Sequence, residues 1–206
     1  YALEREQFKT PIANFGAIQH KIAEMAIKAY VLESTNYRIA DLIEDWKSSA
    51  IEEGLPYQQA LLDAAEEYAI ECAISKIYGS ECIDYAVDEL VQIHGGFGFS
   101  EEYIPARLFR DNRINRIYEG TNEINRLLLV NMLLRRVMKG ELDMVGPAWA
   151  VQKELAGMPK METFEGPYPT ESKALSHFKK ILLIVAGAVA KYQMDGKVDL
   201  KNEQEI

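Results

Sequence analysis

Apolar residues recur at three- and four-residue steps along nearly the whole chain, and this helical period constrains the fold more than any other feature. The period runs from Ile12 to Trp46, which predicts one long helix, and the glycine and proline of residues 54–56 then end it. It resumes from about Tyr57 to Ile93 and predicts a second long helix. Because alternating strand patterns are nearly absent, the sequence predicts an all-α protein.

Helix start and stop signals divide the first half of the chain further. Residues 1–5 have the composition of a helix end, so we expect the chain to be part of a longer protein. Thr10 followed by Pro11 predicts the N-cap and first position of the first long helix. The glycines of residues 95–98 predict the end of the second long helix, and Ser100 predicts the start of a shorter one.

A further helix is predicted from Thr121, which can serve as its N-cap, to Gly140. Long helices that are joined by tight glycine turns are typical of an up-and-down four-helix bundle. We assign this bundle to residues 1–144.

The character of the sequence changes after residue 144. A helix is predicted over residues 148–156, followed by a linker rich in proline and glycine over residues 157–169. Thr170 begins a last helix that reaches about Met194. Residues 145–206 therefore read as an additional helical extension of the bundle.

Charge and apolar content exclude some classes of partner. The chain has 23 basic and 32 acidic residues, interleaved, so it offers no cationic stripe for nucleic acid. Its longest apolar run, residues 181–190, is about half of what a bilayer span needs, and it predicts a buried helix face or a peripheral membrane contact. Cys72 and Cys82 lie about 15 Å apart along one helix, too far for a disulfide, and no metal-ligand spacing is present, so no metal site is expected.

Residues 92–99 and 110–126 are rich in glycine, polar and charged residues, which the packing of a helical bundle alone does not require. Gln92 places a carboxamide on the last helical turn beside exposed backbone groups, where a planar heterocycle or a phosphate could bind. The alternative is a glycine helix stop with Gln92 on the surface. Arg110 and Asp111 form either a local ion pair or substrate contacts.

Glu119 stands between an aromatic residue and a glycine, directly before a new helix. Beside an apolar pocket, desolvation would raise the pKa of this carboxyl group, as a general base near neutral pH requires. The alternative is a solvated turn residue, or an anion placed near the dipole of the helix that begins at Thr121.

The spacing of these motifs resembles the signature of the acyl-CoA dehydrogenases. It runs from Gln-Ile-x-Gly-Gly at residues 92–96 through Arg-Asp at 110–111 to Tyr-Glu-Gly-Thr at 118–121. Residues 4–8 are similar to the Glu-Arg-x-x-Phe segment of the same family. The resemblance covers about residues 1–140 and identifies a C-terminal helical domain. The tail resembles that of the very-long-chain branch and its bacterial relatives.

This resemblance implies FAD-dependent α,β-dehydrogenation of fatty acyl-CoA thioesters in fatty acid β-oxidation. Glu119 would be the catalytic base that takes the α-proton, and its backbone N–H would hold the thioester oxygen. Tyr118 and Gly120 would line the acyl thioester slot. An N-terminal helical domain and a middle β-domain would lie upstream, so the fragment alone is expected to be inactive.

The resemblance also implies a homodimer or homotetramer with an FAD site shared between subunits. Electron-transfer flavoprotein would be the electron acceptor, and the location would be the cytoplasm of a bacterium or the mitochondrion of a eukaryote. The neighbouring subunit would contact the pyrophosphate and the adenosine side of FAD. The subunit that contains the catalytic base would contact the same FAD through two further residues. The expected cofactor-binding residues are Arg5, Gln7, Phe8, Gln92 and Gly96 from the neighbour, with Thr121 and Glu123 beside the base.

Three positions depart from the family pattern. Phe15 and Gly16 stand where many members have a flavin-contacting glutamine, and Lys9 replaces a usual glycine. His94 replaces a more common aliphatic or aromatic residue and is expected to be a packed helix-end residue. Two alternative functions stay open: an acyl-CoA oxidase-like flavoenzyme and a non-catalytic helical oligomerisation module. An intact Tyr-Glu-Gly-Thr turn argues against the second, because a scaffold has no need of that carboxylate.

Overall fold

The computed structural model describes residues 1–157 and 163–199, and within them it contains eight α-helices and one two-stranded hairpin. The all-α fold expected from the sequence is therefore confirmed. The helices are α1 Gly16–Glu52, α2 Tyr57–Glu67, α3 Ala69–His94, α4 Gly96–Phe99, α5 Ile104–Asn112, α6 Asn122–Lys139, α7 Val145–Ala156 and α8 Pro169–Met194.

The N-terminal segment differs from its predicted helix end and N-cap. Residues 6–11 form a hairpin in which β1 (Glu6–Gln7) pairs with β2 (Thr10–Pro11) antiparallel. Phe8 and Lys9 connect the strands with φ of 53° and 62°, the two positive φ angles of a type I′ turn. Because the hairpin takes Thr10 and Pro11 into its ladder, α1 begins only at Gly16, after a 3₁₀ turn over Ile12–Asn14.

The second long helix is two helices rather than one. Tyr68 separates α2 from α3 with φ of −99° and ψ of 19°, a sparsely populated backbone region. The Tyr68 N–H still donates to the Ala64 carbonyl at 3.1 Å, so the chain bends there without losing its hydrogen bond. Both α2 and α3 pack on α1, and the break at Tyr68 separates the two segments that do so.

The remaining helix ends agree with the sequence in part. Gly95 ends α3 with φ of 59°, as predicted. Ser100 does not start the next helix, because residues 96–99 form a helical turn of their own and Ser100 is extended. The helix α5 starts at Ile104 instead, with Pro105 in its first turn. Thr121 caps α6 as predicted, since the Ile124 N–H donates to the Thr121 hydroxyl oxygen at 3.2 Å.

Contacts divide the chain into two units, Tyr1–Val130 and Asn131–Ile206, and the boundary at 144/145 stays a prediction. The first unit has a core of small and branched side chains together with four buried polar ones. Its buried residues include Ile12, Ala50, Ala60, Ala64, Ile77, Cys82, Val87 and Ile93, with Ser80, Asn112, Asn122 and Asn125.

In the second unit, α7 packs on α8, and Lys180 pairs with Glu154 at 2.7 Å. The helix α7 begins at Val145, three residues before the predicted start, and Pro169 occupies the first turn of α8. Residues 158–162 of the predicted linker lie outside the described part of the chain. None of the described helices is both long and apolar enough to cross a bilayer.

Candidate active site

A cavity of about 500 Å³ lies between α1 and α3. Leu32, Ile39 and Ile43 form its apolar wall on α1, and Ile83 adds to that wall from α3. At one end the turn after α5 brings Tyr118 and Glu119 to the cavity. The predicted base thus lines a largely apolar cavity, and its own side chain is exposed to solvent in this chain.

The backbone of this turn is strained. Glu119 has φ of 55°, one of three non-glycine residues with positive φ in the described part of the chain, and Gly120 follows with φ of 81°. A non-glycine residue in this region costs of order 1–3 kcal/mol, so it persists only where the surroundings hold it. This conformation of Glu119 therefore requires other residues to hold the turn in place.

Two side chains hold the turn through the carbonyl oxygen of Gly120. The Lys76 ammonium on α3 donates to this oxygen at 2.8 Å, and the Asn125 amide on α6 donates to it at 3.0 Å. The Asn125 amide also lies 3.4 Å from the Glu119 carbonyl oxygen. The two peptide planes that follow Glu119 are therefore fixed from both α3 and α6.

Behind the turn, Asn122 is completely buried and fully hydrogen-bonded. Its carbonyl oxygen accepts from the Lys76 ammonium at 2.8 Å, and its amide donates to the Ser80 hydroxyl at 2.9 Å and to the Glu81 carboxylate at 3.3 Å. Arg126 pairs with the same carboxylate at 2.5 Å. Since buried polar groups are costly unless they are paired, this network fixes the start of α6 against α3.

The backbone N–H of Glu119 is free in the described part of the chain, where no carbonyl or side chain accepts from it. The neighbouring Tyr118 hydroxyl, in contrast, donates to the side-chain oxygen Oδ1 of Asn115 at 2.6 Å. A free N–H beside a carboxylate can bind an oxygen that gains negative charge while the carboxylate takes a proton.

Thr121 and Glu123 stabilise the first turn of α6 and do not line the cavity. The backbone N–H of Glu123 and then the Thr121 hydroxyl hold the pKa of the Glu123 carboxyl below its ordinary value. Cys72 also lines the cavity, and burial and then the charge of Glu71 raise the pKa of its thiol above the ordinary value.

A second cavity, of about 810 Å³, lies between the N-terminal hairpin and the end of α3. All five residues expected to contact the cofactor from a neighbouring subunit line this cavity: Arg5, Gln7, Phe8, Gln92 and Gly96. The sequence places these residues in two segments about ninety positions apart, and the fold brings them together.

The chemistry of this second cavity fits part of a dinucleotide. The Arg5 guanidinium lies 5.6 Å from the centre of the Phe97 ring and provides a cation for a diphosphate. A side chain at Gly96 would meet nothing within 4 Å, so the backbone is open to close approach. His94 is packed, as expected: its Nδ1 lies 2.8 Å from the Leu90 carbonyl oxygen and its ring stacks on Tyr1.

Apart from Thr121 and Glu123, which line neither cavity, the predicted site residues fall into two groups. Tyr118 and Glu119 line the first cavity, with Gly120 directly behind them, and the Arg5 group lines the second. Arg110 and Asp111 are both exposed, and in the described residues no ion pair joins them. Asp84 pairs instead with Arg116, at 2.9 Å.

Sequence reasoning missed the residues that hold the turn: Lys76, Ser80, Asn122 and Asn125. The signal for Lys76 was present, because it lies four residues after Cys72 and three after Ala73, on the apolar face of the predicted helix. A charged group on a buried face is costly unless another group pairs with it or accepts its hydrogen bonds. Nothing in the local pattern identifies that partner.

Comparison with known proteins shows which family the chain is similar to. The profile of the acyl-CoA dehydrogenase C-terminal domain matches residues 1–134. A Bacillus subtilis protein named "Probable acyl-CoA dehydrogenase" is 46% identical over all 206 residues, which are 34% of its own length. The very long-chain specific acyl-CoA dehydrogenase of rat mitochondria is 43% identical over 129 residues, 63% of this chain and 17% of that protein.

A solved structure and a further relative extend the comparison. The crystal structure of an acyl-CoA dehydrogenase from Bacillus anthracis, complexed with FAD, superposes with a TM-score of 0.90 and 48% identity over 99% of this chain and 34% of that one. Subunit CarC of the caffeyl-CoA reductase–Etf complex of Acetobacterium woodii is 34% identical over 136 residues, 66% of this chain and 31% of that subunit.

The chain belongs to the acyl-CoA dehydrogenase family, whose C-terminal helical domain it contains. It spans about a third of the length of its bacterial relatives.

Proposed function

We propose that the full-length protein that contains this chain is an FAD-dependent dehydrogenase that forms the α,β double bond of fatty acyl-CoA thioesters. The observation that carries the proposal is the position of Glu119: a strained, held turn places its carboxylate at an apolar groove and leaves its N–H free. A solvated turn residue would need neither the strain nor the support.

Each group of the turn has one role in this reaction. The Glu119 carboxylate takes the α-proton of the acyl chain. The Glu119 N–H donates to the thioester carbonyl oxygen and stabilises the negative charge that develops there. Bound FAD would supply the acceptor for the hydride that leaves the β-carbon. The apolar wall of Leu32, Ile39 and Ile43 excludes water from the acyl chain, which strengthens both interactions.

The second cavity supports a cofactor site that is shared between subunits. In the proposed assembly, a homodimer or homotetramer, Arg5 binds the cofactor's diphosphate, and Gln92 and Gly96 contact its adenosine side in a neighbouring subunit. The separate location of this cavity from the Glu119 cavity supports the sharing. Electron-transfer flavoprotein is the proposed electron acceptor, a role consistent with the Etf complex of the Acetobacterium woodii relative.

The test is Glu119→Gln in the full-length protein, with Glu101→Gln as the matched control because Glu101 is an exposed carboxylate that lines neither cavity. We expect Glu119→Gln to retain its flavin absorbance and to lose at least about a hundredfold in turnover with an artificial electron acceptor. Glu101→Gln should behave as the wild type does.

Three other results would change the proposal. Near-normal turnover of Glu119→Gln would exclude Glu119 as the base. Rapid reoxidation of the reduced flavin by oxygen would indicate an oxidase. Full-length protein that binds no flavin and turns over no acyl-CoA would indicate an oligomerisation module.

A further inference from the structure

We propose that Lys76 is a positioning residue for the catalytic base, acting through the carbonyl oxygen of Gly120. This inference rests on the proposed function, because it assigns a role to Lys76 in the reaction at Glu119. Lys76 lies on α3, 44 residues before Gly120 in sequence, and its ammonium donates to the Gly120 carbonyl and to the Asn122 side chain, each at 2.8 Å.

The partners of Lys76 are unusual for a half-buried cation. In the described part of the chain, its ammonium forms hydrogen bonds to two neutral oxygens and forms no ion pair with a carboxylate. A partly desolvated charge without an opposite charge is costly, so it is poorly suited to stabilising the helices alone. Hydrogen bonds from an ion are also about twice as strong as neutral ones, which suits the fixing of a strained peptide.

The geometry connects these bonds to the base. Glu119 adopts φ of 55°, a conformation that its side chain disfavours, and it is held by the peptide that follows it. The Gly120 oxygen has two donors, Lys76 at 2.8 Å and Asn125 at 3.0 Å. Without Lys76, the remaining donor to this oxygen among the described residues is the neutral Asn125 amide on α6, and the turn stays linked to α3 only indirectly, through the Asn122 contacts and the Arg126–Glu81 pair.

Relaxation of Glu119 toward negative φ would then move both of its reacting groups. The carboxylate and the backbone N–H belong to the same residue, so one rotation displaces the proton acceptor and the thioester donor together. A displacement of about 1 Å can reduce the rate of a positioned reaction about a hundredfold. Binding of acyl-CoA, which depends on the groove and on other domains, should change little.

The experiment compares Lys76→Met with Lys21→Met in the full-length holoenzyme. Lys21 is a matched control because it also joins two helices, pairing with Glu89 of α3 from its position on α1, and does not touch the turn. The readouts are the rate at which acyl-CoA bleaches the flavin without oxygen, the dissociation constant of enoyl-CoA, and the flavin content.

We expect Lys76→Met to reduce the bleaching rate about ten- to a hundredfold while the dissociation constant changes by less than about threefold. Lys21→Met should leave the rate within about twofold of the wild type. In the Glu119→Gln background, Lys76→Met should cause a smaller further loss than in the wild type, because the carboxylate is already gone and only the contribution of the backbone N–H remains to be lost.

A second variant tests the same inference if Lys76→Met does not fold. Lys76→Gln remains polar, and its amide is one atom shorter and uncharged, so it should also lose at least about tenfold in rate. Its control is Lys21→Gln. If a folded, flavin-bearing Lys76 variant reduces its flavin as fast as its Lys21 control, the inference is wrong although the proposed function stands. If the wild-type holoenzyme itself reduces no flavin with acyl-CoA, the proposed function is wrong.

Discussion

Asn122 and Ser80 are joined by hydrogen bonds at the point where α6 meets α3: the Asn122 amide donates to the Ser80 hydroxyl at 2.9 Å, and the Asn122 carbonyl oxygen lies 3.2 Å from that same hydroxyl. Asn122 is completely buried, and Ser80 is nearly so. The first residue of α6 is therefore attached to the middle of α3 by polar contacts in a dry environment, where their geometry is most specific.

Asn122→Ala tests the value of this attachment. Removal of the side chain leaves Lys76, Ser80 and Glu81 each short of one hydrogen-bond partner, and a buried group that loses its partner costs about 1–3 kcal/mol. We expect the free energy of unfolding, measured by urea titration of the helical circular dichroism signal, to fall by at least about that amount. Asn131→Ala, at an exposed position of the same helix, should change it little. Equal effects of the two substitutions would contradict the role of the network.

Glu123→Gln tests the electrostatics of the α6 cap. The native pKa of Glu123 lies below its ordinary value because the Glu123 N–H and the Thr121 hydroxyl favour the carboxylate. Its stabilisation is therefore complete above the ordinary value of 4.5 and is lost as the pH falls through the lower native pKa. We expect Glu123→Gln to speed amide hydrogen exchange in the first turn of α6 near neutral pH. The difference from wild type should shrink as the pH falls below 4.5, and a constant difference would disprove this origin.

Gly120→Ala tests the tightness of the turn, with Gly140→Ala as the control. Both glycines have positive φ, 81° and 76°, so both substitutions carry a similar backbone cost of about 1 kcal/mol. A Cβ at Gly120 would also lie 3.2 Å from the Asn125 side-chain oxygen, whereas a Cβ at Gly140 would meet nothing within 4 Å. We expect a larger loss of unfolding free energy for Gly120→Ala, together with loss of turnover. Similar losses for both variants would show that Asn125 adapts freely.

Gly96→Ala and Gly98→Ala separate cofactor binding from folding at the end of α3. A Cβ at Gly98 would collide with the Val91 carbonyl oxygen and lie 2.9 Å from the His94 Cβ, so Gly98→Ala should reduce the yield of folded protein. A Cβ at Gly96 has open space and should leave the thermal midpoint unchanged. We expect Gly96→Ala to fold and to bind less FAD, measured by flavin absorbance per protein. Full flavin content in that variant would remove Gly96 from the cofactor site.

Much of the fold follows from local chemistry that a sequence displays. The helical period predicted the all-α class, Gly95 marked the end of α3, and Thr121 marked the start of α6, because a cap or a positive φ depends on one or two residues. The hairpin over residues 6–11 was not predictable in this way. Its turn residues, Phe8 and Lys9, carry positive φ angles that neither residue type favours.

The candidate site likewise contains residues that the local sequence identifies and residues that only the tertiary structure identifies. Glu119 stands out in sequence because an acidic residue between an aromatic residue and a glycine precedes a helix cap. Lys76 stands out only as a charge on the apolar face of its helix, because its contact with Gly120 joins positions 44 residues apart that the tertiary structure brings together. The bend at Tyr68 has the same kind of origin, since it serves the packing of α2 and α3 on α1.

The bend at Tyr68 also makes the rotational setting of α3 independent of α2. In one continuous helix, the insertion of a single residue would rotate everything beyond it by about 100° and carry Lys76 away from the turn it holds. A joint with non-helical dihedral angles can absorb such an insertion, because the register of α3 is set by its packing on α1 and its hydrogen bonds to the turn rather than by the upstream helix. The α2 segment can therefore vary in length and composition while the groove beside Glu119 keeps its orientation.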